Sequence, residues 1–327
     1  MARLAGVSIA TVSRVLRGTA TVSELTRARV LDAVRELDYL PNKMAQGLRL
    51  GHSNTVALAV GDIEQNVYSA LTKHLQIALE GLGLDLLLYN LGHSEDRLLK
   101  LLDEAAMLGV RAVLIASSDT LPEKELVARA RVLADLGITV IAIAQDLSGH
   151  GIPSAIHDDE GAAYAAVCHL IQRDRLPVAY VGRIAGSVVG TTRFAGYCRA
   201  LAEAGQPVVK ELVWDVFYRY RAGYDAVMAA CDKHLAFRGL LAGSDELAMG
   251  AVAAAHDRGV NVPRDLSVIG FGGADWGEHS RPNLSTMGSH PDLIAAHVRT
   301  IFEDLNQKKS PPMLLKIPRT MILRSST

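Results

Sequence analysis

Ala5-Gly6-Val7-Ser8-Ile9-Ala10-Thr11-Val12-Ser13-Arg14-Val15-Leu16 stands near the start of a 327-residue chain. Gly6 supplies the left-handed backbone of a tight turn, and Ser8 is a ready N-cap for the helix that follows. On a helix over 9–17, Val12, Val15 and Leu16 share one stripe at spacings of three and four. Ala10, Ser13, Arg14 and Arg17 fall on the opposite face, with Ile9 at the margin. A free face of small, hydroxyl and Arg side chains suits the major groove of DNA, which makes a helix-turn-helix the leading reading.

The pattern continues outward. Residues 21–40 read as a further helix, capped by Ser23 or Thr26, with Val30, Leu31, Val34 and Leu37 as its apolar stripe and Tyr39-Leu40-Pro41 as its stop. Asn42 can cap the short segment Lys43-Met44-Ala45-Gln46-Gly47-Leu48-Arg49. Seven residues that include a Gly are too few to stay helical alone in water. Gly51-His52-Ser53-Asn54 then has linker composition. Residues 1–50 hold eight Arg/Lys against four acids, a net of +4, whereas the whole chain is −1, so the remainder carries −5. A basic head on an acidic body is the asymmetry expected when only one end meets phosphates.

With 49% hydrophobic residues and only 5% aromatic ones, the chain can bury large Ala/Leu/Val/Ile cores, which suits α/β layers in two or three domains. Cys168, Cys198 and Cys231 have no metal or disulfide spacing and fit a reducing compartment. No apolar run is long enough for a membrane span, and no separate apolar signal region precedes the body. The expected location is the cytoplasm.

From Thr55 the pattern becomes short apolar strands alternating with helix-length segments. The strands are expected at 56–60, 85–89, 112–116, 139–144, 178–181, 240–242 and 268–271. Helices are expected near 67–82, 95–108, 122–136, 159–172, 191–204, 221–231, 245–258 and 292–306. Such alternation gives α/β architecture, here with too many units for one sheet, hence two similar doubly wound parallel-sheet subdomains. Ile152-Pro153-Ser154 is the expected first junction, with further crossovers near 284 and 313. A ligand of such a body sits beyond the strand carboxyl ends, in the cleft between subdomains.

The chain resembles the lactose-repressor/galactose-repressor family of bacterial transcription regulators, essentially end to end. The head carries Ala5-Gly6-Val7-Ser8, Thr11-Val12-Ser13-Arg14-Val15-Leu16, Val22-Ser23, Thr26-Arg27, Tyr39, Pro41-Asn42 and Leu48. The body carries Asp158-Asp159, His169-Leu170, Arg193-Phe194-Ala195-Gly196-Tyr197, Ser244-Asp245-Glu246-Leu247-Ala248-Met249-Gly250 and Val262-Pro263-Arg264-Asp265-Leu266-Ser267-Val268-Ile269-Gly270-Phe271. The resemblance implies a DNA-binding headpiece over 1–41, a hinge helix and linker over 42–54, and a periplasmic-binding-protein-like body over 55–327. It further implies a homodimer acting as a repressor on double-stranded operator DNA, and a small-molecule effector that changes the angle between the two halves. Ser8, Ile9, Ala10, Thr11, Ser13 and Arg14 become the major-groove set, Tyr39 and Asn42 the backbone anchors, and Leu48 the minor-groove wedge. Helix 1 of that family begins several residues before Met1, so its cap and a phosphate contact are absent from this sequence. The sequence ends at Thr327 without a leucine heptad tail, which argues against a tetramer.

The same resemblance implies effector contacts from Tyr68, Asp158, Ser187, Arg193, Tyr218 and Asp245. Arg supplies a planar donor fork, and Asp accepts from hydroxyls or ring N–H groups. Four of them have a plainer reading: Asp245 as a helix cap, Asp158 as the closure of a strand-to-helix turn, and Tyr68 and Tyr218 as half-exposed core residues. Two departures from the family fall in this region. Gly272-Gly273 replaces a usual acidic pair, and Gly61-Asp62-Ile63-Glu64-Gln65-Asn66-Val67-Tyr68 keeps only part of the usual Pro-Asp-Ile-x-Asn-Pro-Phe-Phe. Arg219 and Arg221 either select an anionic effector or sit on a solvated loop, and His157 reads as a surface or loop residue. The effector class expected is a sugar or sugar derivative.

No enzyme signature stands out. Gly270-Phe271-Gly272-Gly273 has Asp275 where a dinucleotide fingerprint needs its third Gly, and neither a P-loop nor a Gly-x-Ser-x-Gly elbow occurs. The eleven His show no metal spacing, so neither cofactor nor metal is expected. The main competitor is a stand-alone solute-binding protein, which has no use for a basic helix-turn-helix.

Overall fold

The computed structural model describes residues 1–17, 22–37 and 54–327. They belong to two compact units, Met1–Ser53 and Asn54–Thr327.

In the first unit, α1 (Ile9–Arg17) and α2 (Glu24–Glu36) are the helices described. Gly6 has φ +62°, the left-handed turn the sequence asked for. Ser8 Oγ accepts the Thr11 N–H at 3.1 Å, and Ser23 Oγ accepts that of Thr26 at 3.4 Å, so Ser23 rather than Thr26 is the cap of α2. Ala5, Val12, Val15, Val30 and Ala33 form the small core. The stripe of α2 departs from expectation: Leu31 and Leu37 are exposed, and Ala33, three residues after Val30, takes the inward position. The segment 42–49, with its expected hinge helix, lies outside the described residues, as do Tyr39, Asn42 and Leu48.

The second unit holds two six-stranded sheets. In the amino-terminal subdomain the order is β11-β5-β4-β3-β1-β2, from β1 (Thr55–Val60), β2 (Asp85–Asn90), β3 (Ala112–Ala116), β4 (Thr139–Ile143), β5 (Ser154–His157) and β11 (Leu314–Ile317). In the carboxyl-terminal subdomain it is β12-β10-β9-β8-β6-β7, from β6 (Val178–Gly182), β7 (Val213–Asp215), β8 (Gly239–Ala242), β9 (Ser267–Gly272), β10 (Ser285–Gly288) and β12 (Thr320–Ile322). Every pairing is parallel except that of β10 with β12. Strands covered on both faces need continuous apolar runs rather than alternation, and β1 and β3 are buried almost throughout.

Helices cover both faces of each sheet. The amino-terminal half has α3 (Asn66–Glu80), α4 (Glu95–Glu104), α5 (Glu123–Asp135) and α10 (Pro291–Asn306). The carboxyl-terminal half has α6 (Asp159–Gln172), α7 (Val188–Glu203), α8 (Tyr220–Asp232) and α9 (Asp245–Asp257). The backbone passes between halves at 157–159, 288–291 and 317–320. These positions correct the expected 153, 284 and 313, each by about four residues and for one reason. A four-residue strand, β5, β10 or β11, precedes each passage and extends the sheet before the chain leaves it. Runs that short with polar residues among them (Ser154 and His157, Ser285 and Thr286, Lys316) do not stand out as apolar strands.

Candidate functional site

On α1, Ser8, Ile9, Ala10 and Arg14 are exposed and Thr11 and Ser13 partly so, while Val12 and Val15 turn inward. The Thr11 hydroxyl lies 2.9 Å from Ser8 Oγ, so the cap fixes the first turn on its outer side. Arg27, Arg29 and Arg35 of α2 are also exposed.

In the second unit a cavity of about 570 Å³ opens between the two subdomains, a size suited to a small polar metabolite. Tyr68, Arg193, Tyr218 and Asp245 line it, with Asp159, His157, Phe271 and Arg319. Asp158 and Ser187, expected among the lining residues, do not line it. Asp158 caps α6, accepting the Gly161 N–H at 3.4 Å, and takes Lys316 Nζ at 3.1 Å. The inward carboxylate is its neighbour Asp159. Ser187 caps α7 by accepting the Gly190 N–H, and donates to Ser118 O of the other subdomain at 2.9 Å.

Asp245, by contrast, is not its helix's cap. Ser244 fills that role, accepting the Leu247 N–H at 3.2 Å. This leaves Asp245 Oδ2 to accept the Ala274 N–H at 2.7 Å and Oδ1 to accept the Thr286 hydroxyl at 2.6 Å. Burial pushes its pKa up to about 6, and those two donors hold it from going higher. Gly270 and Gly272 make the room: a Cβ on Gly270 would meet Asp245 Oδ1 at 2.3 Å.

Arg193 donates from Nε to Asp159 Oδ1 at 2.9 Å and from Nη1 to Gly243 O at 2.6 Å, and lies 4.3 Å from the Phe271 ring centre. Arg319 donates from Nε to the same Asp159 Oδ1, also at 2.9 Å, and stands 5.1 Å from that ring. Burial works to raise the Asp159 pKa, but the two guanidiniums outweigh it and hold the carboxyl below its usual range. His157, read from sequence as a surface or loop residue, lines the cavity instead. Burial first, and the charge of Arg319 second, push its pKa down to about 3. It is neutral, and its Nε2 accepts the His290 N–H at 3.4 Å. Tyr68 is buried, its hydroxyl accepting the Ser118 N–H at 3.2 Å, and burial raises its pKa to about 12.

Contacts between the subdomains line up along one rim. Arg183 pairs with Asp119, and Arg219 pairs with Asp62 and Glu64. Thr120 N–H donates to Gly186 O at 3.0 Å. Glu246 Oε1 accepts the N–H of Asn66 at 2.9 Å, so a carboxylate from one half caps a helix of the other. Arg219 is therefore neither an anion selector nor a solvated loop residue: it bridges the cleft. Arg221 is exposed and pairs with Asp225 on its own helix.

Two packed helices with exposed arginines, on the same chain as a cleft-bearing α/β body, define a class: DNA-binding regulators that carry a small-molecule domain. Residues 1–42 match the family model "Bacterial regulatory proteins, lacI family", and 53–275 match "Periplasmic binding proteins and sugar binding domain of LacI family". The catabolite control protein A of Priestia megaterium is 30% identical over 329 residues, covering 100% of this chain and 98% of that protein. The solved transcriptional regulator CelR in its cellobiose complex is 25% identical with a TM-score of 0.73, covering 100% and 98% of the two chains. The lac repressor dimer bound to operator and the anti-inducer ONPF is 22% identical with a TM-score of 0.87, covering 100% and 97%. The chain belongs to the lacI family and is a transcription regulator with a DNA-binding helix-turn-helix and a periplasmic-binding-protein-like effector domain.

Among the described residues, no helix is long and apolar enough to cross a membrane.

Sequence reading missed Asp159, Phe271, His157 and Arg319 as parts of one cluster. The tandem Asp158-Asp159 was the one local signal, and choosing between the two needed the helix start.

Proposed function

We propose that this regulator is a cytoplasmic, non-enzymatic repressor that binds operator DNA as a homodimer and releases or engages it in response to a sugar or sugar derivative. The cavity between the subdomains carries the reading, because Arg193, Asp245, Tyr68 and Tyr218 meet there and polar bonds along its rim link the two halves. A ligand that favours one arrangement of the halves shifts affinity at a distant site by that difference alone. The cellobiose held by the related CelR supports a sugar as the effector.

The DNA side rests on Ser8, Ile9, Ala10, Thr11, Ser13 and Arg14 for base edges, with Tyr39 and Asn42 anchoring the backbone and Leu48 as the minor-groove wedge. One short recognition helix reads a half-site, and two copies read a palindrome. Headpiece 1–41, hinge 42–54 and body 55–327 divide the labour.

Selection of duplexes from a random pool by the purified chain tests this reading. Enrichment of a two-fold symmetric site, whose binding changes with glucose, galactose, ribose or cellobiose, or a derivative of one of them, is the expected result. A pool that stays random overturns it.

A further inference from the structure

Arg319 is the charge that the cleft leaves unanswered. It lies on the third passage between subdomains, between β11 and β12, with its side chain only 4% exposed. A guanidinium carries five N–H donors and stays ionised at any ordinary pH. Among the described residues this one makes a single hydrogen bond, Nε to Asp159 Oδ1, and its buried Nη1 has no partner. Asp159 Oδ1 is already shared with Arg193, so two guanidiniums answer to one carboxylate oxygen.

Among the described residues, no other carboxylate lining the cavity hydrogen-bonds Arg319. His157 is neutral. Asp245 acts on Arg319 only through its charge, its oxygens bonding Ala274 and Thr286, and Glu246 bonds the Asn66 N–H. Asp275 and Asp292 also line the cavity but are open to solvent. Gly272-Gly273, on the turn after Phe271, offers no side chain at all. Burial lowers the pKa of Arg319 while the pKa of Arg193 is raised, which marks Arg319 as the under-compensated member of the pair.

We propose that the effector carries an anionic group, a carboxylate or a phosphate, that docks on Arg319 and Arg193, with Arg319 selecting it over the neutral parent compound. The proposal deepens the cleft reading and rests on it. A planar fork with free N–H groups matches either anion, and a charge-assisted bond is roughly twice as strong as a neutral one. The location adds a consequence. His290 bonds His157 through its N–H and Thr320 through Nε2, and Arg319 bonds Asp159, so residues from all three passages are tied together at this point. An anion here grips the segments about which the halves turn.

The test titrates the full-length protein, by thermal shift and calorimetry at fixed ionic strength, with matched sets: glucose, gluconate and glucose 6-phosphate, and the corresponding galactose and ribose series. The expected result is that an anionic member binds more tightly than its neutral parent. Arg319→Met should then lower the affinity of that anion about tenfold or more, with Arg319→Lys keeping part of the preference. Arg319→Met leaves Asp159 and Arg193 as a matched pair, so its ligand-free unfolding midpoint should equal or exceed that of the wild type. If it fails to fold, the wild-type preference and Arg319→Lys decide. Silence from every anionic probe, equal binding of neutral parents, or an unaffected Arg319→Met overturns the proposal. Neutral sugars that bind and are lost in Asp245→Asn would keep the cleft reading while removing the anion. Anion binding that survives intact in both Asp245→Asn and Arg193→Met would remove both.

Discussion

Arg219, just before α8, is ion-paired with Asp62, just after β1, so one guanidinium joins the two subdomains. The same Nη2 also reaches Glu64 Oε2 at 3.2 Å. Burial tends to raise the Asp62 pKa, yet the Glu64 N–H and Arg219 hold it below the usual carboxylate range. Because Asp62 is 7% exposed and Arg219 38%, the pair is screened on one side only. A double-mutant cycle of Asp62→Asn and Arg219→Gln should give a coupling of about 1 kcal/mol in chemical denaturation. Effector affinity should fall in Arg219→Gln, since closing the cleft no longer gains this contact. Additive effects, with affinity unchanged, would show that the contact contributes nothing to closure.

Asp245 should give the body a distinctive pH dependence. Its folded pKa of about 6 lies above the ordinary Asp value of 3.8, so the folded state holds this proton more tightly than the unfolded one. Its contribution to stability is therefore fully present below pH 3.8 and is lost as the pH rises through about 6. The loss is on the order of 2–3 kcal/mol. Asp62, Asp119 and Asp159, whose pKa values are lowered, act in the opposite sense and lose their contribution as the pH falls. The difference between wild type and Asp245→Asn isolates the one group. Relative to the variant, the wild type should lose stability between pH 4 and 7 in urea titrations. A flat difference curve would mean that Asp245 is not desolvated as described.

How much of this was legible in the residues depends on how local the cause is. The first helix of the head was readable because Gly6, Ser8 and the Val12/Val15 stripe fall within ten consecutive residues. The two parallel sheets were implied by alternation, but β5, β10 and β11 went unread, and each displaced a crossover. Arg193 and Asp245 sat inside longer motifs, and both line the cavity. Arg319 stands in Pro318-Arg319-Thr320, which has no pattern of its own, and meets Asp159 across 160 residues of sequence. The choice between Asp158 and Asp159 turned on a single hydrogen bond to Gly161, which periodicity does not resolve.

Arg14 is exposed on the outer face of α1 and is its long donor nearest the middle. Arg14→Ala should lose discrimination at particular operator bases, at about 1–3 kcal/mol per bidentate contact. Arg27→Ala should weaken selected and random duplexes alike and reduce the salt slope by about one. Fluorescence anisotropy with both kinds of duplex separates the two. Equal losses on both for Arg14→Ala would assign it to phosphate instead.

Two glycines facing each other across α8 and α9 set the packing of the carboxyl-terminal subdomain. A Cβ on Gly223 would meet Leu247 O at 2.2 Å, and one on Gly250 would meet Tyr220 O at 2.0 Å. Both obstacles are backbone atoms of the opposite helix, which cannot turn aside as a side chain can. α9 begins at Asp245, so pushing the helices apart also shifts the carboxylate that faces the cleft. Gly250→Ala should therefore destabilise the body by about 2–3 kcal/mol. It should also weaken effector binding beyond what the loss of folded protein explains. Gly149, with nothing within 4 Å of its would-be Cβ, is the control. Gly149→Ala should stay within about 0.5 kcal/mol of the wild type in the same denaturation series. Equal midpoints for the two variants would mean that α8 and α9 have slack their backbones do not display.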